Sequence, residues 1–342
     1  MVQRGAYYCG AGKVEVGQSS IETPAADQVR IEVEWCGVCG TDLHIYQGHM
    51  DGRFNGRRII GHEMSGRIVE IGDEVEGFQA GDAVVVRPLD PCLECPACRA
   101  GNSHVCQNLN FVGIDSPGAF QTSWTVPATL LHRLPEGMAM DLAALVEPMA
   151  VACHDVRLGE VASGEKVVVI GGGPIGLLNA LVARHAGAEV LVAEVNEARL
   201  GMAESLGLSS VNPLLENLEE RVLGWTGGAG ADVVFEVSGS VPGAEVMTKL
   251  AKVRGRIVVV AIFAQAPKVD LFQFFWRELK LCGVRVYEPE DYEQAIELVA
   301  SGQLPLEQLI TSRRSLDELP DVFSELTAGA DEVKVMIDIK GV

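Results

Sequence analysis

Residues 166–187, KVVVIGGGPIGLLNALVARHAG, constrain the fold of this 342-residue chain more than any other stretch. A short apolar run has the length of a buried strand. It passes into a glycine turn, and the turn opens an amphipathic helix. Gly171, Gly173 and Gly176 fit G-x-G-x-x-G. With 38 glycines in the chain the pattern alone means little, so its place between strand and helix carries the argument. The first glycine permits the tight turn and the second lets the backbone approach a pyrophosphate. The third lets helix and strand pack closely, while the helix N-terminus offers free N–H groups to the phosphates. Glu194 ends the following strand, EVLVAEVN, where a carboxylate accepts hydrogen bonds from an adenosine ribose and repels a 2′-phosphate. NAD is therefore expected over NADP. The cofactor positions are Gly171, Gly173, Pro174, Ile175 and Gly176 in the turn, with Glu194 and Arg199 beyond it. The competing reading is a structural turn in an unrelated α/β protein.

The organisation around this unit falls into three zones. Residues 1–150 are rich in short β-like runs broken by glycine, such as VRIEVEW, SGRIVEIG and AVVVRPL, which predict an antiparallel, barrel-like domain. Residues 151–288 alternate strands and helices at the spacing of a parallel α/β sheet, with ADVVFEVSG, GRIVVVAIF and LKLCGVRVY as later strands. Residues 289–342 hold a helix, DYEQAIELVASG, and a strand-like tail, EVKVMIDIKGV, expected to rejoin the first domain. Charge argues against nucleic acid as a partner: 27 basic against 47 acidic residues leave −20, and no basic cluster stands out. No apolar run reaches bilayer-spanning length, and the N-terminal MVQRGAYYCGAGKVEVG lacks a signal-peptide core, which predicts a cytoplasmic protein without a membrane partner.

Cysteine is the next constraint. Nine cysteines in a cytosolic chain argue against disulfides. Four of them, Cys92, Cys95, Cys98 and Cys106, stand in PCLECPACRAGNSHVC at C-x2-C-x2-C-x7-C. Four soft ligands in one loop suit tetrahedral zinc, and a closed thiolate shell predicts a structural ion. An iron–sulfur cluster is the alternative; the missing C-P ending and the long last gap count against it. A second cysteine pair sits in WCGVCGTDLH, where Cys36 and Cys39 precede Thr41, Asp42 and His44. Taken by itself, this pair reads as a redox couple, half of a zinc knuckle, or an accident around one useful thiolate.

The motifs GVCGTDLH, GHEMSGRIVEIG, GDAVVV, the four-cysteine lobe, the Glu-Pro at 147–148 and VVVIGGGPIG occur in the order found in zinc-dependent medium-chain alcohol dehydrogenases. The chain resembles that family over essentially its whole length. The resemblance implies a GroES-like catalytic domain and a Rossmann domain with a doubly wound parallel sheet. It also implies two zinc ions per chain, NAD, and a homodimer or homotetramer. By resemblance Cys39 and His62 bind a catalytic zinc together with Glu63 or Glu147, and the resemblance leaves open which glutamate is the inner ligand. Thr41 would touch the substrate oxygen, and His44 would help pass its proton to solvent. This matches what the chemistry needs: a Lewis acid to lower the alcohol pKa and a short proton exit, before hydride leaves for NAD. Glu63 can also act as an acid or base beside the metal. Cys36 has no role in this scheme.

The Glu-Pro at 147 looks like the polyol and secondary-alcohol branch, which includes sorbitol, butanediol and threonine dehydrogenases. Sorbitol-type members carry an Arg-Tyr pair near LKLCGVRVY, where this chain has Val286-Tyr287 with Arg285 one place off. The expected activity is oxidation of a secondary alcohol of a diol, polyol or cyclitol to a ketone. L-threonine oxidation is the alternative, and a non-catalytic NAD-binding sensor is the reading from another class. Tyr46, Phe111 and Trp276 are candidate pocket walls, and LKLCGVRVY is the expected edge of the nucleotide sheet, open to a second copy.

Overall fold

The computed structural model describes residues 2–53 and 56–341. They form two compact units, Met1–Glu147 with Glu288–Val342, and Pro148–Tyr287. In the second unit, six parallel strands line up in the order Ser209–Val211, Glu189–Ala193, Lys166–Ile170, Ala231–Glu236, Ala251–Val259 and Lys280–Gly283. The first strand in sequence is thus central and the order reverses beside it, which is the doubly wound arrangement. Val168, Leu191, Val234 and Ile257 are almost wholly buried in its core, each contributing about 1.5–3 kcal/mol by leaving water. The run LKLCGVRVY supplies only the short edge strand Lys280–Gly283. Beyond it Val286 adopts a left-handed backbone, and the chain has left the sheet.

The first unit is built on a seven-stranded, mainly antiparallel sheet. Its long strand Gln28–Gly37 buries Val29, Ile31 and Val33 on one face, as its period-two pattern dictates. Two neighbours pair with its C-terminal end. Glu63–Ile71 runs antiparallel with Glu63 opposite Gly37, and the tail strand Lys334–Asp338 runs antiparallel with Met336 opposite the same glycine. Val38 N–H extends the second ladder by donating to the Val335 carbonyl at 3.0 Å. Segments up to hundreds of residues apart therefore deliver Cys39, His62, Glu63 and Lys334 to one end of three neighbouring strands.

Candidate active site and cofactor cleft

The four-cysteine lobe is held by its own backbone. Cys95 caps the single helical turn Pro96–Arg99. The Sγ atoms of Cys95 and Cys98 lie 3.5 Å apart, those of Cys92 and Cys106 3.5 Å, and those of Cys95 and Cys106 3.8 Å. Sulfurs around a tetrahedral zinc at about 2.3 Å stand about 3.8 Å from one another, so the lobe is already close to the geometry of a bound ion. Backbone N–H groups point at the sulfurs: Cys98 and Gln107 donate to Cys95, and Cys92 and Asn108 donate to Cys106. Such donors favour thiolate, and those on Cys95 bring its pKa down to about 6.

The second cluster is assembled from distant pieces. Cys39 Sγ, a ring nitrogen of His62 and a carboxylate oxygen of Glu63 all lie within 4.8 Å of one another, a mixed set of donors suited to one cation. Cys39 caps the helix Gly40–Tyr46, receiving the Thr41 N–H at 3.5 Å, while Asp42 completes the capping box by accepting the Cys39 N–H at 3.0 Å. The buried Asp42 also places Oδ1 3.8 Å from His62 Nδ1, close enough for its charge to act on the ring. Burial pushes the Asp42 carboxyl up to about 6. His62 is raised well above the ordinary histidine range: burial opposes this, but Cys39, Asp42 and Glu147 prevail. The cluster draws in positive charge, as a cation site must.

Glu63 is fully buried and its Oε2 accepts from Lys334 Nζ, which also donates to the Val38 carbonyl at 3.1 Å. A Cβ on Gly37 would stand 2.3 Å from that carboxylate oxygen, so only glycine leaves room for it. Glu147 is buried and close enough for its charge to act on His62, but it is not among the three converging ligands. Thr41 follows directly on the cluster. His44 is exposed, and its Nδ1 stands 3.3 Å from Nδ1 of His49. Cys36 is sealed in the sheet with its thiol against the Gly37 carbonyl, outside the cluster. Phe111 packs edge-on against His62, with ring centroids 5.3 Å apart, and Tyr46 leans on Phe323. Trp276, expected as a pocket wall, is instead 70% exposed on the helix Leu271–Arg277, stacked on Phe272. Two contributors escaped the sequence reading. Asp42 carried a signal in the C-x-x-D capping spacing, whereas Lys334 showed only as one lysine in an apolar strand.

In the second unit the glycines divide their labour. Gly171 has φ +104°, and Gly176 faces the Gly171 carbonyl so closely that a Cβ would lie 1.9 Å from it. A Cβ on Gly173 would meet nothing within 4 Å, leaving the turn bare where the helix Pro174–His185 begins. The turn borders a cleft of about 1000 Å³ lined also by Glu194, Arg199, Ser238 and Ser240. Glu194 accepts from the backbone N–H groups of Gly172 at 2.7 Å, Val195 at 2.7 Å and Asn196 at 2.9 Å, which fixes the carboxylate at the mouth. Arg199 stands 4.0 Å from it. Pro174 and Ile175 form the first turn of the helix.

The comparisons with known proteins agree with this geometry. Residues 25–136 match the alcohol dehydrogenase GroES-like domain and residues 174–301 match the zinc-binding dehydrogenase domain. A 2-dehydro-3-deoxy-L-galactonate 5-dehydrogenase from Pseudoalteromonas atlantica is 52% identical over 97% of this chain and 98% of its own. The chain belongs to the zinc-dependent medium-chain alcohol and polyol dehydrogenases. This dehydrogenase is also 31% identical to an L-galactonate-5-dehydrogenase from Escherichia coli, over 90% of each chain. Among solved structures, a zinc-binding dehydrogenase from Sinorhizobium meliloti bound to NADP superposes with a TM-score of 0.93 at 32% identity, covering 99% of both chains. Its chemistry is the oxidation of a secondary alcohol, with zinc and a nicotinamide cofactor. No helix among the described residues is long and apolar enough to cross a membrane.

Proposed function

We propose that this dehydrogenase oxidises the C5 hydroxyl of a 2-dehydro-3-deoxy sugar acid to a ketone, with NAD as acceptor. The 52% identity to the Pseudoalteromonas enzyme over nearly the full length of both chains carries this reading. It narrows the diol, polyol or cyclitol expected from the sequence to a polyol-like chain that ends in a carboxylate. Cys39, His62 and Glu63 would hold the catalytic zinc, with Glu147 close by, and Cys92, Cys95, Cys98 and Cys106 the structural one. Bound at the open cluster, the metal supplies a Lewis acid that lowers the pKa of the substrate hydroxyl.

The remaining work falls to the protein's own groups. Thr41 positions the reacting oxygen. His44 takes the hydroxyl proton outward and passes it to His49, whose Nδ1 lies within reach. The C5 carbon gives its hydride to the nicotinamide, so alcohol and NAD become ketone, NADH and a proton. Lys334 neutralises Glu63 and keeps it from drifting. Glu194 selects NAD by repelling a 2′-phosphate. The exposed edge Lys280–Gly283, with half-exposed Leu281, suits pairing with a second copy in a homodimer or homotetramer of the cytoplasm.

The test is a panel of 2-dehydro-3-deoxy-L-galactonate, L-galactonate, sorbitol, 2,3-butanediol and L-threonine, each with NAD and with NADP, read as reduced cofactor. The sugar acid with NAD should give the highest kcat/KM. A higher value on a neutral polyol or on L-threonine would overturn the substrate reading. Equal use of NADP would overturn the role of Glu194.

A further inference from the structure

One buried carboxylate of the second unit has no part in the chemistry described so far. Glu236 ends the strand Ala231–Glu236, next to the central strand Lys166–Ile170, and is fully buried. It accepts the backbone N–H groups of Ser238 at 3.1 Å and Gly239 at 3.3 Å, and the Ser238 hydroxyl donates to it as well. Burial raises its pKa, and these three donors counter that by favouring the charged form. A carboxylate only accepts, so the single hydroxyl proton of Ser238 is committed to Glu236.

That commitment sets the polarity of the next group. Ser240 Oγ stands 2.9 Å from Ser238 Oγ, and with the Ser238 proton already engaged, Ser240 is the donor of this pair. Ser238 Oγ also accepts the Ser240 N–H at 3.1 Å, which fills its lone pairs. Ser240 in turn caps the helix Val241–Leu250 by accepting the Gly243 N–H at 3.0 Å. A hydroxyl has one proton and two lone pairs. Ser240 is therefore left with one open acceptor position and no donor. It lines the same cleft as the glycine turn and Glu194.

The rest of the lining says which part of a dinucleotide Ser240 meets. Val195, Leu214 and Leu215 border the cleft and are each at least half exposed, which gives it apolar surface for the faces of a flat base. Among the described residues, none of the strands Ala251–Val259 and Lys280–Gly283 lines it, so it covers the adenosine half of the cofactor. With the ribose hydroxyls at Glu194, the donor left on an adenosine is the 6-amino group of its base. We infer that Ser240 reads the base of the cofactor, its open lone pair accepting from the adenine 6-amino group, with Glu236 and Ser238 as positioning residues that maintain this polarity. This rests on the nicotinamide-cofactor reading of the cleft and is independent of which alcohol is oxidised. Hypoxanthine carries a carbonyl oxygen where adenine carries the amine, and so would set an acceptor against an acceptor.

The experiment measures, by calorimetry on the zinc-loaded protein, the Kd of NAD and of nicotinamide hypoxanthine dinucleotide. Wild type is compared with Ser240→Ala and Ser240→Asn. Wild type should bind NAD about 10- to 100-fold more tightly than the hypoxanthine dinucleotide. Ser240→Ala should weaken NAD by about 3- to 10-fold and improve the hypoxanthine dinucleotide, bringing the two within about threefold. Ser240→Asn keeps an oxygen to cap the helix and presents an amide N–H. It should bind the hypoxanthine dinucleotide at least as tightly as NAD. Equal affinity of wild type for the two dinucleotides, or equal weakening of both in Ser240→Ala, would overturn the base reading and leave the cofactor cleft standing. A wild-type protein that binds neither dinucleotide would overturn both.

Discussion

The two cysteine-bearing clusters of the first unit are built in opposite ways. The lobe takes its four ligands from residues 92–106, all of one chemical kind, and its own backbone N–H groups already face the sulfurs. The open cluster takes a thiol from one segment and an imidazole and a carboxylate from the adjacent residues His62 and Glu63 of another, and the main sheet brings the two together. A contiguous, uniform, closed set makes a staple. A dispersed, mixed set with a carboxylate held by a lysine suits the catalytic ion proposed above. The same element type is expected in both, so the difference in role comes from how the ligands are supplied.

Removing a ligand from each should separate the roles most sharply. Cys95→Ser should drop zinc from two ions to one per chain and leave the first unit without a cooperative melting transition. Structural zinc contributes on the order of 10 kcal/mol, as much as the whole stability of a typical domain. Cys39→Ser should also lose one zinc but melt close to wild type, with kcat/KM down by at least about 10³-fold, since the Lewis acid contributes several kcal/mol to the transition state. Metal analysis with calorimetry and initial rates reads both; an inactive, stable Cys95→Ser would break the comparison.

Lys334→Met sharpens it further. The substitution leaves the Glu63 carboxylate buried without its partner, which should cost about 3–5 kcal/mol in zinc-free protein and markedly less once zinc is restored. Equal losses with and without metal would show that Lys334 supports the fold rather than the ligand. The smallest effect belongs to Cys36→Ser. This cysteine lies three residues before Cys39 but is sealed inside the sheet, so both zinc ions and kcat should be retained, with only a modest fall in melting temperature. Loss of a zinc ion from that variant would return Cys36 to the ligand set.

What could be read from sequence follows the same division between local and distant. The glycine turn was legible because its causes lie within a few residues: a strand, a left-handed Gly171, a close-packed Gly176 and a helix start. The lobe was legible because thiol spacing along one loop nearly determines spacing in space. For the open cluster, residue patterns gave only an ambiguous cysteine pair. His62, Glu63 and Glu147 entered through family resemblance, because no local rule joins Cys39 to a histidine 23 residues further along the chain. Trp276 shows the converse, an aromatic with pocket-like chemistry that the fold leaves on a surface helix.

The sequence alone determined the βαβ nucleotide unit, the four-thiol spacing of the lobe and the net charge of −20, since each depends on neighbours in the chain or on summed charge. Tertiary structure alone brings Glu63 beside Cys39 and His62 and seats Lys334 on it. These are pairings across antiparallel register and between segments far apart in sequence. Their energies depend on burial and on a few ångströms of approach, which residue order does not encode until the sheet has formed.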